Sequence, residues 1–97
     1  MQYEIILSPE AVEDLKQLDV YVKARVKDLI GIHLKHEPTK TSKSRIKKLR
    51  GVKHPQYRLR IDESRVFYDV RGNRVEVLAI ISKSKATEWL KKTGEII

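Results

Sequence analysis

The sequence predicts a single α+β domain, in which helices pack on one face of a largely antiparallel sheet. Two apolar patterns at helical spacing occupy the first half of the chain, and three strand-like runs joined by short turns occupy the second. Turns that short join antiparallel neighbours. A chain of 97 residues supports one core of modest size. The expected order is β-α-α-β-β-β-α over residues 1–97, with a helical hairpin on the sheet and a short C-terminal helix.

The N-terminal half is expected to hold one strand and the helical hairpin. Residues 2–7 alternate in polarity, as a half-buried strand does. Ser8 and Pro9 are typical of the N-cap and the first position of a helix, and Asp19 is suited to cap a second helix over residues 20–36. A glutamate-proline pair then ends that helix, because the residue before proline avoids the helical conformation.

The C-terminal half is expected to hold three strands and a short helix. Residues 39–54 have the composition of a basic loop, and the strands follow at 56–61, 65–71 and 74–82. The last helix is expected over residues 84–92, with a glycine just beyond it that suits a helix C-terminus.

The excess positive charge lies in one quarter of the chain. The net charge is +8, from 21 basic and 13 acidic residues. The segment 38–61 holds no acid and these nine basic residues: Lys40, Lys43, Arg45, Lys47, Lys48, Arg50, Lys53, Arg58 and Arg60. A field concentrated in this way attracts polyanions such as nucleic acid. The alternative is a solvated loop that only aids solubility.

Several classes of function are excluded or disfavoured. The absence of cysteine excludes disulfides, thiolate metal sites and a cysteine nucleophile, and it fits a cytoplasmic location. The longest aliphatic run, residues 77–81, is too short to span a membrane. His33 and His36 are spaced as a metal pair but lack a third ligand, so neither a metal nor a small-molecule cofactor is expected.

Strand periodicity places three arginines on the same face of the sheet. Arg58 and Arg60 alternate with the apolar residues of their strand, and Arg65 alternates with those of the next strand. If the helices cover the apolar face, all three guanidinium groups project from the other side and form a phosphate-binding surface. The alternative is a solvated face whose arginines pair with Asp62, Glu63 or Asp69.

This arrangement resembles the RelE/ParE superfamily of bacterial and archaeal toxins. The resemblance is carried by Leu49-Arg50-Gly51, by the two strands Tyr57-Arg58-Leu59-Arg60-Ile61 and Arg65-Val66-Phe67-Tyr68-Asp69-Val70, and by the apolar strand at 77–81. It implies a toxin held inactive by a cognate antitoxin. RelE-like members cut messenger RNA on the ribosome, without a metal, by attack of a ribose 2′-OH on the adjacent phosphate. ParE-like members inhibit DNA gyrase instead.

The resemblance also implies roles for individual residues. The catalytic set it implies is Arg65, which steadies the scissile phosphate, with Arg58, Arg60 and Lys83. The RNA-binding set it implies is Lys47, Lys48, Arg50, Lys53, Lys85 and Trp89. The match weakens after the last strand, where this chain lacks the arginine or histidine that RelE-like nucleases often carry.

The resulting hypothesis is a ribosome-dependent messenger-RNA endonuclease with an antitoxin, the ribosome and messenger RNA as partners. The general base is left open among Lys47, Lys48, Lys83 and Glu88, and His54 is a further candidate for the acid. Trp89 serves either as a core residue, which is favoured, or as a stacking surface for a base. The antitoxin is expected on an apolar patch beside the helices or on the tail 94–97. The alternatives are a ParE-like gyrase inhibitor and a non-catalytic basic module that binds nucleic acid.

Overall fold

A computed structural model describes residues 2–96 and shows the predicted α+β fold with a five-stranded, mainly antiparallel sheet. Its elements are β1 (Glu4–Leu7), α1 (Pro9–Gln17), α2 (Val20–Leu34), β2 (Ile46–Lys48), β3 (Val52–His54), β4 (Tyr57–Ile61), β5 (Ser64–Arg71), β6 (Arg74–Ser82), α3 (Lys83–Thr93) and β7 (Glu95–Ile96). The sheet order is β1-β6-β5-β4-β2, in which only the β1–β6 pair is parallel.

Both helices of the hairpin begin at the residues that the sequence predicts. The Ser8 Oγ accepts a hydrogen bond from the Ala11 N–H at 3.1 Å, and the Asp19 Oδ1 accepts one from the Val22 N–H at 3.0 Å. Each bond satisfies a donor that the first turn of a helix leaves free. α2 ends at Leu34, two residues earlier than predicted.

The hydrophobic core lies between the helical hairpin and one face of the sheet. α1 and α2 contribute Ala11, Val26, Ile30 and Leu34, and the central strands contribute Leu59, Ile61, Val66, Tyr68, Val75, Val77 and Ile80. The alternation predicted for β4 and β5 therefore holds, because Leu59, Val66 and Tyr68 all face the hairpin. The arginines between them face the other way.

The prediction of a loop over residues 39–54 is wrong in part, because this segment contains two short strands. β2 extends the sheet beyond β4, and Ile46 at its start is buried opposite Leu59. β3 pairs with β7, so residues 95 and 96 of the predicted antitoxin-binding tail lie in a two-stranded sheet. Residue 97 lies outside the described part of the chain. Strands of two or three residues are too short to show a periodic pattern.

The sequence predicts that the second face of the sheet is uncovered, and this prediction is wrong in part, because α3 packs against that face. The Trp89 ring stacks on Phe67 with ring centroids 4.8 Å apart. α3 ends at Thr93, and its C-cap is Gly94, whose φ of −64° is an ordinary value and not the left-handed one that a C-terminal glycine often adopts. Glycine is needed there for close packing, since a Cβ would lie 2.5 Å from the Leu90 carbonyl oxygen.

Tyr68 makes the stability of the fold depend on pH. Its side chain is buried, and its hydroxyl donates a 2.6 Å hydrogen bond to the Pro38 carbonyl. Burial, with a smaller contribution from Tyr57, raises the pKa of Tyr68 well above its usual value near 10. Stability from this group is therefore fully present below about pH 10 and is lost as the pH rises above it, because only the unfolded chain ionises there.

We expect Tyr68→Phe to lower the free energy of unfolding by about 1 kcal/mol at pH 8, because a buried carbonyl loses its donor. The difference from the parent protein is expected to shrink by pH 11, since the variant has no phenol to ionise at that position. Urea unfolding at the two pH values measures both effects. A difference that stays constant or widens would contradict this account of Tyr68.

Candidate functional site

The register of the sheet places the predicted arginines on the same face. Arg60 lies directly opposite Arg65, and Arg58 lies opposite Phe67 on the same strand pair. Lys47 of β2 lies opposite Arg58 on its other side. Residues opposite each other in a sheet share a face. The structure therefore groups four cations from three neighbouring strands, as the sequence predicts for the three arginines.

A pocket of about 290 Å³ opens where this face meets α3. Its polar lining comes from Arg58, Arg65, Lys83 and Thr87, and its apolar lining comes from Leu49, Phe67, Ala86 and Leu90. The pocket lining contains three cations and no carboxylate. Such a lining suits a phosphate ester, because it combines charge for the phosphate with apolar surface for the attached group.

Arg65 is the most firmly held of these cations. Only 6% of the residue is exposed, and its Nη1 donates hydrogen bonds to the carbonyl oxygens of Asp62 at 2.8 Å and Ser64 at 2.9 Å. The turn between β4 and β5 thus fixes the direction of the guanidinium. This burial differs from the expected open surface, because α3 covers part of the same face.

Arg58 is held without such partners. Its Nε is buried and forms no hydrogen bond within the described residues. Burial first, and then the positive charges of Arg65 and Arg60, lower the pKa of Arg58 below its usual value. A desolvated cation beside other cations is electrostatically unfavourable alone, and an anion in the pocket relieves that repulsion.

The other proposed site residues are less closely grouped. Arg60 is exposed on the arginine face, next to the pocket, and its backbone carbonyl accepts a 3.1 Å hydrogen bond from the Arg45 guanidinium. Lys47 and Arg50 line two further pockets that share Leu49 with the main one, and these pockets extend the basic surface over β2. Lys48 lies opposite Tyr57, a position on the face that carries the core, and it also lines one of these two pockets.

Three predicted RNA-binding residues lie away from the pocket lining. Lys53 is on β3, with its Nζ 4.0 Å from a carboxylate oxygen of Glu95. Lys85 is exposed on α3. Trp89 is half-buried: its ring stacks on the buried ring of Phe67, and the residue also lines a separate cavity of about 310 Å³.

Two of the three acids that could neutralise the arginines, Asp62 and Asp69, have other partners, and Glu63 is exposed and forms no ion pair within the described residues. Within residues 2–96, none of the three central arginines forms an ion pair. The Asp62 carboxylate binds Arg25 of α2. The buried Asp69 carboxylate accepts a 2.8 Å hydrogen bond from the Gln56 N–H, and its other oxygen lies 2.9 Å from His54 Nδ1. The alternative of a self-neutralised face is therefore wrong for these contacts.

The remaining candidates for acid or base chemistry lie outside the pocket. Glu88 pairs with Lys92 on the surface of α3 at 2.9 Å, and His54 contacts Asp69. His33 lines a pocket beside α2, where burial and the charge of Arg45 lower its pKa. Within the described chain, no cluster of three His, Asp or Glu side chains is arranged to hold a metal, and no helix is long and apolar enough to cross a membrane.

Sequence reasoning missed part of the pocket wall. Phe67 and Thr87 line the pocket, and Arg25 binds the carboxylate of Asp62. The parity of β5 did place Phe67 beside the arginines. Nothing in the sequence connects Arg25 with Asp62, which are 37 residues apart.

Known structures share this fold. An archaeal RelE in complex with RelB from Pyrococcus horikoshii is 25% identical, with a TM-score of 0.71, over 88% of this chain and 99% of that one. The RelE of an antitoxin-toxin complex from Methanococcus jannaschii is 21% identical, with a TM-score of 0.67, over 87% and 96%. A mutant of the Escherichia coli toxin RelE in the free state is 20% identical, with a TM-score of 0.58, over 94% and 93%. No curated protein sequence matches the chain.

The chain shares the α+β fold of these RelE toxins and carries a basic face on its sheet. The family model of the ParE toxin of type II toxin-antitoxin systems matches residues 5–87, so the chain belongs to that family. It is a toxin of a type II toxin-antitoxin system. The resemblance seen in the sequence is thereby confirmed at the level of the superfamily.

Proposed function

We propose that this toxin is a ribosome-dependent endonuclease that cuts messenger RNA and thereby stops translation. One observation carries the proposal: a pocket in which Arg58, Arg65 and Lys83 converge on the face of a rigid sheet, with no carboxylate in the lining. Preorganised cations of this kind stabilise the charge that develops on a phosphate during cleavage. The fold shared with RelE toxins supports the same reaction.

In the proposed reaction, the ribose 2′-OH attacks the adjacent phosphorus while the bond to the 5′ oxygen breaks. The products are a 2′,3′-cyclic phosphate and a 5′-hydroxyl end. Arg58 and Arg65 contact the phosphate oxygens, and Arg60 binds a neighbouring phosphate of the message. A guanidinium keeps its proton at neutral pH and cannot act as the base. Lys83 is the only lysine in the pocket lining and is therefore our choice for the base: its neutral amine takes the 2′-OH proton, and the departing 5′ oxygen takes a proton from water.

The basic surface beyond the pocket gives the message a path. Lys47 and Arg50 continue the positive face over β2, and Leu49 lines both their pockets and the main one. Backbone phosphates bound along such a surface position the scissile bond without reading its sequence. The ribosome supplies the remaining alignment of the message. Under this proposal a cognate antitoxin inhibits the toxin, as RelB and YefM are the partners in the complexes of similar toxins.

A second candidate is inhibition of DNA gyrase, and the match to the ParE family model favours it. This activity needs no phosphate-transfer site, so it leaves the convergence of Arg58, Arg65 and Lys83 without a role. For that reason we favour cleavage of messenger RNA over inhibition of gyrase.

Two parallel assays of the purified toxin distinguish the candidates. We expect cuts in a message on programmed ribosomes, with 2′,3′-cyclic phosphate ends, and we expect no loss of supercoiling by gyrase. Lost supercoiling with an intact message would instead identify a gyrase inhibitor. An intact message and normal supercoiling, with salt-sensitive binding to RNA, would leave only a binding module.

A further inference from the structure

An acid in the turn beside Arg65 has its carboxylate bound on the other side, by α2. Asp62 lies in the turn between β4 and β5, and its backbone carbonyl accepts the 2.8 Å hydrogen bond from Arg65. Its side chain points to α2 instead, where Arg25 binds both carboxylate oxygens, through Nε at 2.5 Å and Nη2 at 3.3 Å. The backbone carbonyl of Asp62 thus orients Arg65, while the carboxylate of Asp62 binds Arg25.

The Asp62 carboxylate is close enough to the arginine face to affect it. The hydrogen bond from Arg25 contributes most to lowering the pKa of Asp62, and the charges of Arg25, Arg45 and Arg60 also lower it. The side chain is about half exposed, so it has room to rotate. A carboxylate released beside a guanidinium forms a strong, charge-assisted hydrogen bond with it.

We propose that Arg25 is a positioning residue, which holds the Asp62 carboxylate on the helical-hairpin side and so keeps Arg60 and Arg65 available for RNA phosphates. This inference rests on the proposed function and deepens it. Arg25 touches neither the pocket nor the message and acts only through Asp62. The fork of two N–H donors suits this task better than a single ammonium group, since it fixes the direction of the carboxylate.

The proposal predicts a rescue that a merely structural ion pair does not allow. Arg25→Ala releases Asp62, which then pairs with the arginine face and replaces one phosphate contact. We expect the affinity for a labelled single-stranded oligouridine to fall about tenfold, and the slope of log affinity against log salt to fall by about 0.7. Asp62→Asn fits the positive φ of 52° at this position and removes the competing charge. The double variant is therefore expected to bind within about twofold of the parent.

Two controls separate this effect from a change of fold or of net charge. Lys27→Ala removes the same charge from the exposed side of the same helix, and we expect its affinity to stay within about twofold of the parent. Asp62→Asn alone lacks the ion pair but is expected to bind at least as tightly as the parent. If the double variant binds as weakly as Arg25→Ala, the proposal is overturned.

A measurement without RNA keeps the inference independent of the nuclease assignment. The NMR signal of the Arg65 Nε–H reports the surroundings of its guanidinium in the free protein. We expect this signal to shift in Arg25→Ala and to return in the double variant. An unshifted signal contradicts the proposal even if RNA is cut, whereas a shifted signal with an uncut message contradicts only the nuclease assignment.

Discussion

Arg65→Ala is expected to lower the rate of message cleavage on ribosomes at least about 100-fold, and to abolish growth arrest when the toxin is induced. Removing one preorganised group that stabilises transition-state charge has effects of this size. Arg65 lies in the pocket with Arg58 and Lys83, and the carbonyls of the β4–β5 turn fix its direction. It is the cation best placed to contact the scissile phosphate under the proposed function.

The same substitution also affects stability, because Arg65 donates to one buried carbonyl and one partly buried carbonyl. We expect the free energy of unfolding to fall by about 1–3 kcal/mol when they lose their donor. Arg58→Ala gives the cleaner test of function, since its Nε has no partner within the described residues and its charge faces two other arginines. Its stability is expected to equal or exceed that of the parent while cleavage falls by a similar factor. Arg65→Lys keeps the positive charge but loses the paired N–H donors of the guanidinium, so we expect a cleavage rate between those of Arg65→Ala and the parent.

A matched control comes from Arg74, which is exposed at the start of β6 and does not line the pocket. Arg74→Ala removes one arginine from the same sheet and is expected to arrest growth like the parent. Each variant is measured for thermal unfolding and for cleavage on programmed ribosomes. If folded Arg58→Ala and Arg65→Ala proteins cut as fast as Arg74→Ala, the pocket is not the nuclease site.

The parts of the fold that follow from local chemistry were predictable. The caps at Ser8 and Asp19 form because one side-chain oxygen satisfies one free N–H, and both partners lie within three residues. Successive side chains of a strand point to opposite faces, and this alternation in β4 and β5 correctly placed Arg58, Arg60 and Arg65 on the same face.

The rest depends on contacts between distant segments, and no local pattern encodes them. β2 and β7 are short and exist because a neighbouring strand offers free backbone groups. The pocket exists because Trp89 brings α3 onto Phe67, which closes one side of the arginine face. The sequence indicated which cations share a surface, but not that α3 forms a pocket on that surface, nor that Arg25 binds Asp62.

The second large effect is expected for Phe67→Ala, which removes the support on which α3 rests. Phe67 is 2% exposed, and α3 itself contributes no fully buried residue. We expect the free energy of unfolding to fall by about 3–5 kcal/mol through lost burial and the remaining cavity. Because the pocket wall goes with it, cleavage is expected to fall as well. Trp89 is the only tryptophan, so its fluorescence reports the loss of the stack directly.

A double-variant cycle tests whether the stack itself anchors α3. If it does, Trp89→Ala destabilises the Phe67→Ala protein by about 0.5–1.5 kcal/mol less than it destabilises the parent, because the pair interaction is already gone. Ile32→Ala is the matched apolar control, since Ile32 is 60% exposed on α2 and is expected to change stability by less than about 0.5 kcal/mol. Additive effects of the two aromatic substitutions would mean that α3 is held by other contacts. The proposed base, Lys83, would then be positioned independently of the stack, at the junction where β6 runs directly into α3.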